Sequence, residues 1–356
     1  MNNKKLLENP LWKALDPTDL RLVRVSEEFP PSLNPFSEDG VIIKAAGVPG
    51  EVPHSKWYMA REGIRDGIGK GYIEEGTTIV EATSGNTGQA MAIICNALGL
   101  RFVPIMSGDV PQDKINAIRT LGRHVQPRLH FDPDETTVEY ARRLGAEAGW
   151  YNPDQYKSSW NWRAHYCHLA PQLWEQQGKI SILAVPAGTM GTCYGLALYA
   201  RDRELNTKVV PVMCAEEEEV PGARTLASIT RDIRHPWKDV FQEEDVQFGT
   251  RHASFIFSYL TWTHVPQMLG PSFGLGFYGA ISFLREHKNA KTLYQFRDKE
   301  DGKIYVVVFG PDDYRSYTPL YLGELKRKEF SAHTPPNLLR LVTEDAAIRL
   351  WGLDKQ

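Results

Sequence analysis

The sequence predicts an α/β fold in which parallel-rich sheets are flanked by helices. Three observations carry the prediction. From residue 41 onward, short apolar runs rich in β-formers alternate with helix-like stretches. Neither an internal repeat nor a low-complexity segment interrupts the alternation. Several helix-like stretches stop at a glycine, at Gly99, Gly122 and Gly178, where a left-handed C-terminal cap is expected. A strand followed by a helix brings the chain back for a parallel neighbour, so both faces of the sheet become covered.

Taken in order, the strand runs are "VIIKAA" from 41, "TTIVEAT" from 77, "RFVPIM" from 101, "ISILAVPA" from 180, "KVVPVMCA" from 208 and "IYVVVFG" from 304. Their apolar character is nearly continuous, as strands buried on two faces require. The helix-like stretches are "KWYMAREGIRDGI", "TGQAMAIICNALG", "DKINAIRTLG", "DETTVEYARRLGAEAG", "HLAPQLWEQQG" and "GTCYGLALYARDREL". Residues 1–40, rich in Pro, Asn and Ser, read as a wrapping arm. Residues 216–252 read irregularly, and "EEEE" at 216–219 reads as a solvated run. Residues 326–356 read as a charged loop followed by a short amphipathic helix, "PNLLRLVTEDAAIRLWG".

Composition narrows the functional classes. The chain has 356 residues, enough for one large domain or two medium ones. Its hydrophobic fraction is 42% and its net charge −3, so no strong field draws it to nucleic acid or an anionic membrane. No apolar run approaches the roughly 20 residues of a membrane span, and "MNNKKLLENPLWKALD" lacks the apolar core of a secretory signal. Cys95, Cys167, Cys193 and Cys214 are widely spaced with no CxxC pair, so the expectation is a cytoplasmic protein with free thiols.

Two loops have the composition of an anion cradle. In "EATSGNTGQAMA", Thr83, Ser84, Asn86 and Thr87 crowd with Gly85 and Gly88 between an apolar strand and a helix. Unpaired N–H groups at a helix start carry partial positive charge, and glycine lets them approach a ligand. A carboxylate or phosphate would fit; so would plain capping by Ser and Thr. "AVPAGTMGTCYG" repeats the design with Gly188, Thr189, Gly191 and Thr192, without a Walker lysine and without GxGxxG spacing.

These residues carry a resemblance. "IVEATSGNTGQAMA" resembles the substrate loop of the cysteine synthase and cystathionine β-synthase family of pyridoxal phosphate (PLP) enzymes, of fold type II and tryptophan synthase β-like. The similarity continues in order over roughly residues 20–325, through "HSK", "NPDQYKSSWN", "PAGTMGT", "GPSFGLGFYGA" and "VVVFGPDDYRSY". It implies a two-domain fold: a small substrate-loop domain at 45–155, a large PLP-binding domain at 1–44 and 156–330, and a C-terminal extension at 331–356. It implies that Lys56 forms the Schiff base with PLP and that Asn86 bonds the cofactor's 3′ oxygen. Thr83, Ser84, Thr87 and Gln155 would hold a substrate α-carboxylate. Gly188, Thr189, Gly191 and Thr192 would bind the cofactor phosphate, and Ser272 would face the pyridine nitrogen. A serine there leaves the ring a milder electron sink than an aspartate would, which suits loss of a β-substituent.

Other assignments stay open at several of these positions. Lys44 in "VIIKAA" is a rival to Lys56. Ser272 could cap a helix, and Gln155 could be a loop residue. His165 and His168 stand at i and i+3, but with no third ligand near in sequence they read as an ordinary helix face, and no metal is expected. The departures from the family touch the pocket and spare the cofactor anchors: Trp57-Tyr58 replaces Asp-Arg, Met190 replaces the second glycine of TGGT, and no glycine-rich counterpart follows residue 220. His54 stands where the family more often has a small hydroxyl residue, either as an acid or base toward the leaving group or nucleophile, or as a ring that only orients its loop.

The resemblance implies β-replacement on an activated serine or cysteine through an aminoacrylate, and the departures from it at Trp57, Tyr58 and Met190 point to a nucleophile other than bare sulfide, such as an amine or a larger thiol. The alternatives are a β-elimination lyase of the cysteine desulfhydrase or serine/threonine dehydratase type, and a non-catalytic binding homologue. The expected partners are a small amino-acid substrate and a small nucleophile, without nucleic acid or membrane, in a homodimer.

Overall fold

The computed structural model describes residues 4–14, 23–48, 54–262, 264 and 269–311. The expected C-terminal extension at 331–356, with its amphipathic helix, lies outside the described residues. In chain order the strands are β1 (Arg24–Glu28), β2 (Val41–Gly47), β3 (Thr78–Ala82), β4 (Arg101–Ser107), β5 (Arg128–His130), β6 (Trp150–Tyr151), β7 (Ile182–Pro186), β8 (Lys208–Cys214), β9 (Gln247–Gly249) and β10 (Ile304–Gly310). The helices are α1 (Lys4–Leu7), α2 (Pro10–Ala14), α3 (Lys56–Gly69), α4 (Asn86–Leu98), α5 (Gln112–Arg119), α6 (Thr137–Gly145), α7 (Ser159–Ala164), α8 (Ala170–Gln177), α9 (Gly191–Asp202), α10 (Leu226–Asp232), α11 (Arg251–Thr261) and α12 (Pro271–Asn289). Among the described residues no helix is long and apolar enough to cross a membrane.

The chain divides into two compact units, each α/β. The first comprises the described residues of Met1–Leu22, Val52–His168 and Asp232–His235. Its sheet has the order β5-β4-β3-β6, parallel throughout. All five residues of β3 are buried, so the loop that follows β3 starts from a fixed point. Helices α1 and α2 belong to this unit: Trp12 is buried beneath the Arg61 guanidinium, 4.5 Å from the ring centroid, and Asn9 donates to the Ala97 carbonyl at 3.1 Å.

The second unit comprises the described residues of Val23–Glu51, Leu169–Arg231 and Pro236–Gln356. Its sheet has the order β1-β2-β10-β7-β8-β9, parallel except for β1, which pairs antiparallel with β2. Helix α12 crosses α11 closely because position 274 is glycine: a methyl there would stand 1.8 Å from the Ser254 carbonyl oxygen. Gly276 and Gly279 seat the same helix on Val308 and Val212. The core of Phe257, Phe273 and Phe277 fixes where α12 begins, and thereby where Ser272 sits.

All six strand runs read from the sequence are present, as the interior strands of the two sheets. The four strands not foreseen, β1, β5, β6 and β9, are the sheet edges. Gly99 ends its helix with the expected left-handed cap; Gly178 ends its helix with φ 71° but ψ −100°, outside the left-handed helical region. Gly122 does not: α5 already closes at Thr120 in the right-handed region, and Gly122 is small because a methyl would lie 2.8 Å from Val125 and 2.9 Å from Asn96.

Candidate active site

Lys56 is the first residue of α3 and is half-buried. The chain before it is held by His54, whose carbonyl accepts the Trp57 N–H at 2.8 Å and whose Nδ1 accepts the Lys56 N–H at 3.2 Å. Because Nδ1 is the acceptor, the neutral ring carries its proton on Nε2. His54 Nε2 and Ser55 Oγ are both buried, with no hydrogen-bond partner among the described residues. Burial, and secondarily the Lys56 ammonium, push the His54 pKa down to about 3. His165, fully buried in a π-helical turn at His165–Leu169, is pushed well below the usual imidazole range by burial and then by Lys56. Such turns recur at functional positions.

The sign of the resulting pH dependence is fixed. His54 takes up a proton near pH 6.5 when unfolded but only near 3 when folded. Stability is therefore complete above pH 6.5 and falls as pH drops towards 3, by about 1.4 kcal/mol per pH unit for each such histidine. His54→Asn should flatten the acid limb of a denaturation-against-pH curve by that slope; an unchanged limb would show that the ring titrates normally.

The loop 83–87 joins β3 to α4. Thr83 does cap: its Oγ1 accepts the Gly88 N–H at 3.0 Å. Gly88 must be small, since a methyl would lie 2.7 Å from Ile118. Residues 83–86 are half-buried, and a methyl at Gly85 would meet no atom within 4 Å, so this stretch of backbone is open to a ligand. Thr87 is different. It is buried, and its hydroxyl donates to Gln155 Oε1 at 2.9 Å. Gln155 Nε2 donates to the Ala82 carbonyl at 3.0 Å, which leaves one amide hydrogen of Gln155 for a ligand. Lys56, Thr83, Ser84, Asn86, Thr87, Gln155 and His54 thus all belong to the first unit.

The second unit carries Gly188, Thr189, Gly191, Thr192 and Ser272. The loop 188–190 leads from β7 into the twelve-residue helix α9, which starts at Gly191, and Thr189 and Thr192 are buried there. Met190 occupies the left-handed region at φ 59° and is 1% exposed, a conformation that costs a non-glycine residue of the order of 1 kcal/mol. Ser272 is fully buried in the first turn of α12, whose N-cap is Gly270, so it does not cap that helix through its side chain.

Two residues escaped the sequence reading. Glu81, on β3, is a buried carboxylate directly behind the loop 83–87. Gly222 lies against the loop 188–190: with φ +83° it presents its carbonyl 2.6 Å from where a Gly188 side chain would begin. The signal available for Gly222 was the turn dipeptide Pro221-Gly222 in "VPG". Among the described residues no three His, Cys, Asp or Glu are grouped to hold a metal ion; His168 instead meets Glu62 at 3.2 Å.

Comparison with known proteins defines the class. The family model described as pyridoxal-phosphate dependent enzyme matches residues 56–246, more than half of the chain, and the chain belongs to this family, with the type II fold of cysteine synthase-like proteins. Cystathionine beta-synthase of Mus musculus is 27% identical over 275 residues, covering 73% of this chain and 47% of that protein. Cysteine synthase B of Escherichia coli strain K12 is 31% identical over 160 residues, covering 44% of this chain and 52% of that one. The chain spans about half the length of the curated relatives it matches. Its fold is shared with O-ureido-L-serine synthase, at TM-score 0.71 and 17% identity over 93% of this chain and 98% of that one. It is shared too with a hydrogen sulfide-producing enzyme from Fusobacterium nucleatum, at TM-score 0.68 and 20% identity over 85% and 97%.

The residues present fit the family's cofactor. A phosphate needs N–H donors and hydroxyls without a side chain in the way. Gly188, which has no room for a Cβ, together with Thr189, Thr192 and the start of α9, meets that need. An aldehyde carbon needs an amine, and Lys56 offers one at the start of α3, directly after the unsatisfied His54 Nε2 and Ser55 Oγ.

Proposed function

We propose that the protein catalyses β-replacement on an activated serine or cysteine, with β-elimination as the alternative outcome at the same residues. The observation that carries this is Lys56 at the head of α3 in the same unit as the half-open loop 83–86. Lys56 would hold PLP through its amine, and Asn86 and the 188–192 loop would hold the ring oxygen and the phosphate. When bound, the cofactor supplies the electron sink for a negative charge at the substrate α-carbon. The hydroxyl of Ser272 would leave the pyridine nitrogen unprotonated, which favours loss of a β-substituent over transamination.

The chain's own residues divide the remaining work. Ser84, the loop N–H groups and the free amide hydrogen of Gln155 bind the α-carboxylate. The Lys56 amine takes the α-proton once the substrate has displaced it, and returns it on addition. His54 stays neutral and acts as an Nε2–H donor toward the leaving group or nucleophile. It does not act as a cationic acid, because its proton affinity is too low at neutral pH. The names of the relatives support the reaction type: cystathionine beta-synthase, cysteine synthase and O-ureido-L-serine synthase are synthases, and one neighbour produces hydrogen sulfide.

The test is product analysis with L-serine, O-acetylserine, O-phosphoserine and L-cysteine, each offered sulfide, an amine and an organic thiol. A new β-substituted amino acid from an amine or thiol is the expected result. Keto acid and ammonia alone would assign elimination. No product from any pair, with cofactor bound, would overturn the catalytic assignment.

A further inference from the structure

β3 carries one ionisable residue, the buried Glu81, and that residue is tied to the substrate loop through one neighbour. Glu81 is 1% exposed. Its Oε1 accepts the Ala82 N–H and its Oε2 accepts the Gln155 N–H, each at 3.1 Å. Every other polar atom of Gln155 is also engaged: its carbonyl accepts Asn161 Nδ2 at 2.7 Å, its Oε1 accepts Thr87, and its Nε2 donates to Ala82. The preceding residue, Asp154, stands at φ 55° and is gripped by Arg142 at 2.7 and 3.2 Å. The left-handed turn at Asp154 presents the Gln155 N–H to Glu81, and the Gln155 side chain then spans from the end of β3 to the first turn of α4.

We propose that Glu81 is a positioning residue for the substrate carboxylate: it clamps the Gln155 backbone, so that Gln155 and Thr87 hold the loop 83–87 in its binding form. This rests on the assignment of that loop and Gln155 to the α-carboxylate. A buried carboxyl is costly in a strand that an apolar residue would fill. Burial, and then the charge of Asp154, raise the Glu81 pKa well above its usual range, against the pull of the two N–H donors. The residue is therefore a poor choice for stability alone, and what it holds in return is Gln155, which reaches the loop through the Thr87 hydroxyl.

The experiment uses holoenzyme with L-serine and L-serine methyl ester as probes, following the cofactor absorbance. Variants are Glu81→Gln, Glu81→Ala and Thr87→Val. The wild type should prefer the free carboxylate by about tenfold or more, the change expected of one lost charge-assisted hydrogen bond. Both Glu81 variants should lose most of that preference through weaker L-serine binding, with ester affinity and cofactor content unchanged. Glu81→Gln keeps the side-chain shape and carries the test if Glu81→Ala does not fold. If Thr87→Val loses the preference while the Glu81 variants keep it, the proposal fails and the loop assignment stands. Equal weakening of serine and ester, or loss of cofactor, would make Glu81 a structural residue and overturn the proposal. If the wild type shows no preference, the loop assignment itself fails, and the proposal with it.

Discussion

Lys56→Ala protein is expected to lose the violet-edge absorbance of covalently held cofactor and all turnover, while keeping its fold. The loss of turnover should be complete to the limit of detection, because in the proposed assignment the same amine would hold the cofactor and move the α-proton. Lys56 heads α3 as a half-buried residue, so its truncation removes no core side chain. Lys44→Ala is the matched control. Lys44 lies within β2, where it pairs across the sheet with Val307 on β10 and Glu28 on β1, between core residues Ile43 and Ala45. That variant should keep the absorbance. If Lys44→Ala lost it and Lys56→Ala kept it, the assignment would be reversed.

The second large effect is expected from Gly188→Ala. A methyl there would begin 2.6 Å from the Gly222 carbonyl oxygen, a backbone atom that cannot swing aside. Overpacking of this kind costs about 1–3 kcal/mol, and here it falls on the loop assigned to the phosphate. Cofactor affinity measured by equilibrium dialysis should drop by roughly tenfold to a hundredfold, with a smaller change in the melting temperature of the apo form. Unchanged affinity would mean that the cofactor phosphate does not use this loop.

The interior of both sheets was legible in the sequence for a physical reason. β3 and β7 are buried at every position, and burial on two faces leaves a run that is apolar throughout in β7 and broken in β3 only by Thr78 and Glu81. Edge strands leave no such mark. β1 reads "RVSEE" with one buried residue, β5 "RLH" has none fully buried, and β6 is two residues long. The anion-type loops were legible because small hydroxyl residues and glycines are concentrated there. What they do locally was not. Thr83 turns its oxygen to the Gly88 N–H, and Thr87 gives its hydroxyl to Gln155, 68 positions away. Glu81 was hidden for the same reason: its value comes from the Gln155 N–H, which only the packing of residues 152–156 against β3 brings near. Gly222 is a further case, since its partner is the backbone of Gly188, and a contact between two backbones writes nothing into side-chain pattern.

The central claim is that this chain holds PLP on Lys56. Borohydride treatment of the wild-type holoenzyme fixes the lysine–cofactor linkage as a stable secondary amine, which peptide mapping by mass spectrometry then locates. The predicted result is one modified peptide, carrying the reduced cofactor at Lys56. Modification at Lys44 or another lysine, or none in protein that has taken up the cofactor, would contradict it.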